Sequence, residues 1–260
     1  MSQKTTMRHL IEKFEHRKRQ ASILAFIVVA WICFLLSSST NLLAANAASK
    51  HQFFEDGVLI SLQEPSLAID VDDAFTFVGR HPFTIRDVAA GERFIFVDSE
   101  GDVILRLFIV QFEGFLPGID NFYRYNLTES PVVANYPFRS NGYAFDIVEA
   151  VAANPKSESA ATYPFLQSKG YSIPAHWMMW RSLTIADQAR KKEMILFYVE
   201  NVDSSGLSLD DFYEQDAATA AWIRIQKDLE LRANNSFQLT ELNENGEPNA
   251  SAWSSIPSRF

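Results

Sequence analysis

From Gln20 to Ser49 the chain carries no charged side chain, and within that window Ile23 to Leu36 is an unbroken run of fourteen apolar residues. A run of this kind fixes the relation of the chain to a membrane before it says anything about a fold. Residues 1–20 ahead of it hold six Lys or Arg against two acids, a basic cytoplasmic n-region, and only Lys50 follows closely behind. Basic residues are retained on the cytoplasmic side, so the N-terminus is expected inside and the body outside.

Two readings of residues 21–47 stay open. A basic n-region, an apolar centre and Ala45-x-Ala47 are the three parts of a secretory signal peptide, with cleavage after Ala47 and a secreted product. Alternatively, a helix over residues 23–43 reaches about 31 Å, enough to cross the hydrocarbon core as an uncleaved signal anchor, giving a single-pass membrane protein. Either way the body is extracytoplasmic, in a periplasm or at a cell surface. The sole cysteine, Cys33, lies inside the apolar run. The body therefore has neither disulfides nor thiol chemistry and must rest on a packed core.

After residue 20 the chain keeps 17 basic side chains against 30 acidic ones. An acidic body without a basic, aromatic-rich patch repels a phosphate backbone, so no nucleic-acid partner is expected. Residues 48–56 read as a linker and 57–233 as an α+β domain. Its clearest local signal is a β-hairpin. Glu92–Val97 and Val103–Phe112 are β-branched and aromatic runs separated by the turn-forming residues Asp98 to Asp102. The second strand is almost wholly apolar and should be central, covered on both faces. Val58–Leu62, Ala74–Val78 (with a bend at Gly79–Pro82), Ala175–Thr184 and Glu193–Val202 add strands. Asn141 is expected to cap a helix over 142–153, a second helix covers 159–169, and Ser208-Leu-Asp-Asp211 is a capping-box start for a long C-terminal helix. Trp222 is the largest residue on the apolar face of that helix. From Asn234 the Asn-rich composition predicts a mobile tail, 234–260. The expected fold is thus a twisted, mostly antiparallel sheet of six or seven strands with helices on one face.

The chemistry is sparse. There is no Gly-rich nucleotide loop, no H-E-x-x-H, no G-x-S-x-G and no C-x-x-C. Asp70, Asp72 and Asp73, and likewise Asp98, Glu100 and Asp102, read as solvated turns rather than cation sites, so no metal and no cofactor is expected. These absences lean away from an enzyme and leave any catalytic residues unknown. The enzyme alternative is a hydrolase using His81 or His176 with a carboxylate. The leading expectation comes from the aromatic supply of 21 Phe, 5 Trp and 8 Tyr. It is a binding module for an apolar or lipid-like small ligand, with its pocket between sheet and C-terminal helix. Gln111 and Glu113, ending an apolar strand face, together with Trp177, Trp180 and Trp222, are its candidate ligand-binding residues. A third reading is an interaction or structural domain that docks a cell-envelope protein through the Trp/Met-rich strand.

Overall fold

The computed structural model describes residues 51–214 and 217–259; the basic and apolar N-terminal segments lie outside them. The chain opens with β1 (Gln52–Glu55), β2 (Val58–Ser61), β3 (Leu67–Val71), β4 (Thr76–Ile85), β5 (Ala89–Glu100) and β6 (Val103–Phe115). The short pair β7 (Val132–Val133) and β8 (Tyr136–Pro137) precedes β9 (Arg139–Asp146), α1 (Ile147–Ala153) and α2 (Glu158–Ser168). Then come β10 (His176–Ile185), β11 (Lys192–Asn201), the short β12 (Tyr213–Glu214) and β13 (Ala217–Ala218), α3 (Ala220–Asn235) and β14 (Phe237–Glu241). The six-stranded sheet has the order β4-β5-β6-β11-β10-β9, and a four-stranded sheet has the order β1-β2-β3-β14. Every strand pair in both is antiparallel.

Strand alternation divides the large sheet into two buried faces. Phe94, Phe108, Val110, Met178, Trp180 and Leu196 turn inward against Leu59, Ile69, Phe237 and Leu239 of the small sheet and Trp222 of α3. Ile95, Leu107, Ile109, Trp177, Met179 and Phe197 turn outward, under Leu166 and Phe165 of α2. The hairpin β5–β6 is where the sequence places it, and β6 is interior and covered on both sides.

Several expectations are corrected. Helices lie against both faces of the large sheet, because the inward face is shared between the second sheet and α3 while α1 and α2 cover the outward one. The helix expected over 142–153 is mostly strand. Tyr143 and Phe145 alternate onto the outward core as β9 pairs along β10, and only residues after Asp146 are helical. Asp146, rather than Asn141, is the cap, its Oδ1 accepting from the backbone of Val148 at 2.7 Å and Glu149 at 3.0 Å. The box at Ser208–Asp211 closes a single 3₁₀ turn, and the long helix starts later, with Thr219 Oγ1 accepting from the Trp222 amide. The bend expected at Gly79–Pro82 is instead continuous edge strand: the one bulge of β4 falls just before it, between Phe77 and Gly79, and Pro82 is tolerated because β4 has no outer neighbour. The tail is not loose. Its alternating Phe237 and Leu239 make β14 the partner of β3, and Ile256 packs in the same core. Among the described residues no helix is long and apolar enough to cross a membrane.

Candidate functional site

The space expected under the C-terminal helix is filled. Trp222 is 2 % exposed, with its ring 5.2 Å from Phe212 and 6.1 Å from Tyr213. An apolar cleft lies instead on the opposite face of the large sheet, between the outward strand residues and α1–α2. Its cavity volume is about 50 Å³, or about 490 Å³ when the open solvent at its mouth is counted. Its floor is ordered by strand register. Ile109 pairs with Phe197, and Leu107 with Val199, which in turn faces Met179; one step further along β10, Trp177 pairs with Phe145. Ile147, Ile173 and Leu166 complete an apolar wall, with Ser159, Thr162 and Tyr163 contributed by α2.

The one charged residue lining this cleft is Arg93 of β5, 4 % exposed. It lies opposite Gln111 in the hairpin register and donates through Nε to Gln111 Oε1 and through Nη1 to Thr162 Oγ1 at 2.7 Å. Its Nη2 faces Glu158 Oε1 at 3.7 Å, too far for a hydrogen bond. The guanidinium also lies over the rings of Phe197 at 5.1 Å and Phe83 at 5.8 Å. Burial lowers its pKa to about 10, with Glu158 and Glu113 pulling the other way, so it is cationic at neutral pH.

Behind Arg93 a polar relay continues along β6. Gln111 Nε2 donates to Glu113 Oε2, and the Tyr123 hydroxyl donates to Glu113 Oε1 at 2.8 Å. Glu113 stands directly opposite Glu193 of β11. Burial first, and then the neighbouring Glu113 carboxylate, raise Glu193 far above the usual carboxyl range, so it holds its proton. The loop over this pair is fastened by Arg190, which donates to the carbonyls of Tyr123 and Tyr125, both at 2.8 Å. Burial, followed by Glu193, pushes Tyr125 up to about 12.

The five sequence-chosen residues are thus divided between two faces. Gln111 and Glu113 sit in the buried relay beyond the Arg93 end of the cleft, and Trp177 lines its far end. Trp180 and Trp222 belong to the inward core, Trp180 with the Arg259 guanidinium 4.9 Å above its ring. Sequence reading missed Arg93, Thr162, Glu158, Tyr123 and Glu193. The usable signal for Arg93 was a cation within an apolar strand, which cannot be buried without partners.

Of the two candidate histidines, His81 stands directly opposite Arg93 in the β4–β5 register, while His176 is on β10 beside Asp146. His81 is partly buried, its ring 5.2 Å from Phe165, and burial followed by Arg93 lowers its pKa. His176 Nε2 is 3.3 Å from Asp146 Oδ2, on the carboxylate that caps α1. Asp72 closes its own turn by accepting from the Ala74 amide at 2.8 Å, and Asp98 pairs with Arg106 at 2.7 Å. Among the described residues no group of three or more His, Cys, Asp or Glu side chains converges to hold a metal ion. No known protein family, curated protein or solved structure matches this chain.

Proposed function

We propose that the chain is an extracytoplasmic binding module for an apolar, lipid-like small ligand, seated in the cleft between the outward face of the large sheet and helices α1 and α2. One observation carries this reading. The cleft walls are mainly aliphatic and aromatic, with a few polar groups from α2 and, as the one charged lining residue, the buried Arg93, the mix of apolar walls and few polar anchors that small-molecule sites use. Export is supported by the six basic residues ahead of the uncharged segment. The hydrolase reading has less behind it, because the carboxylate beside His176 is committed to capping a helix and His81 packs on Phe165.

Solvent extraction of the full chain isolated from membranes, followed by mass spectrometry, tests the proposal. An apolar small molecule should be recovered at close to one per chain. It should be lost from Leu107→Trp, which fills the cleft floor. Equal recovery from both proteins would mark the molecule as background lipid and overturn the reading.

A further inference from the structure

The cleft is polar at one end only. Arg93 and Gln111 occupy one level of the sheet; Ile109 with Phe197, Leu107 with Val199 and Met179, and Trp177 with Phe145 occupy the next three. Each level is two residues further along the strands, so the cation and the Trp177 end are on the order of 20 Å apart in the strand direction at about 3.4 Å per residue. We propose that the occupant is an amphiphile ending in a carboxylate, its headgroup on Arg93 and its apolar part directed over Ile109, Leu107 and Val199 toward Trp177. The proposal rests on the cleft being a binding site and adds what it selects.

The pairing of Arg93 is unfinished. A guanidinium is a planar fork that suits a carboxylate bidentately. Here two of its nitrogens are committed, to Gln111 and Thr162, while Nη2 meets Glu158 only at 3.7 Å. Glu158 is in the first turn of α2 and partly exposed, so its side chain can turn out to water. It holds, loosely and from the protein itself, the place that a ligand carboxylate would take. An ionised headgroup entering without a cation would be costly in so apolar a recess, and Arg93 removes that penalty.

The test uses the full chain in membrane vesicles at pH 7.5 and two photoreactive probes of equal chain length, a dodecanoic acid and a dodecanol, each normalised to its labelling of bulk membrane protein. Mass spectrometry of the β6, β10 and β11 peptides should show labelling by the acid at least tenfold above the alcohol. Arg93→Met should abolish that preference. Glu158→Gln, which removes the internal competitor and leaves the core intact, should raise acid labelling several-fold. Equal labelling of these peptides by acid and alcohol, or acid labelling unmoved in Glu158→Gln, would overturn the headgroup assignment while leaving the apolar cleft as a binding site. No labelling of these peptides by either probe would overturn both.

Discussion

Glu113 and Glu193 face each other across neighbouring strands, β6 and β11, with Tyr123 donating to the first and Tyr125 lying near the second. Burial, and the Glu113 carboxylate facing it, make ionisation of Glu193 costly at neutral pH. The proton stays on Glu193, while Glu113 receives the Gln111 amide and, through it, the field of Arg93. The relay therefore serves two purposes. It compensates the buried cation that lines the cleft, and it anchors the Tyr123–Tyr125 loop that Arg190 ties down.

The raised pKa of Glu193 makes a pH prediction with a definite sign. Below its ordinary value near 4.5 both folded and unfolded chains hold the proton, and no stability is lost. Above it the unfolded chain ionises and the folded one does not, so stability falls as pH rises, by up to about 1.4 kcal/mol per pH unit for a one-proton difference. Glu193→Gln removes that dependence. Its melting temperature should exceed that of the wild type at pH 8 and converge with it near pH 4. A variant less stable than the wild type at pH 8 would show that Glu193 is ionised and favourably paired.

Gly91 sets the space that Glu113 occupies. A Cβ built there would lie 2.2 Å from the Phe112 carbonyl oxygen and 2.8 Å from Glu113 Cβ. The first of these is backbone and cannot turn aside, so Gly91→Ala should cost about 2–3 kcal/mol, in the range of overpacked sites. Denaturant melts check it. A cost below about 0.5 kcal/mol would mean that the β5–β6 pairing is looser at this end than its register implies.

The hairpin, the β10–β11 pair and the two faces of β6 were legible because each is written in local signals: β-branched runs, turn residues and period-two alternation. That alternation already set Gln111 and Glu113 with Leu107 and Ile109. The partner of Arg93 was not legible. Continuing the turn register from Glu100 opposite Val103 would place Arg93 against Val110, on the wrong face. A bulge between Asp98 and Ser99 shifts the pairing by one residue and brings it to Gln111. Thr162 and Glu158 reach the same arginine from a helix distant in sequence, which no local pattern encodes. The tail was misread for a related reason. Its composition is that of a loop, and Phe237 and Leu239 become a strand only because β3 offers an open edge.

That edge gives a further prediction. Truncation after Asn235 would remove Phe237, Leu239 and Ile256 from the inward core and expose β3. Losing several buried apolar side chains at about 1.5–3 kcal/mol each exceeds what a domain of this size can spare. The truncated chain should fail to give a cooperative melt. An unchanged melting temperature would show that β14 is dispensable.

Trp222 and Trp177 are both 2 % exposed, yet they face different surroundings, and alanine in place of each should separate the filled face from the hollow one. Trp222 is enclosed by Phe212, Tyr213 and the inward core, so Trp222→Ala opens a new cavity and should cost about 3–5 kcal/mol. Trp177 already borders the cleft, so Trp177→Ala enlarges an existing space rather than opening a new one and should cost less, about 1–2 kcal/mol. Added lipid extract should raise the melting temperature of Trp177→Ala and leave that of Trp222→Ala at its value without extract, relative to the wild type under the same conditions. Equal costs for the two substitutions, with no response to extract in either, would mean that the outward face is as solidly packed as the inward one.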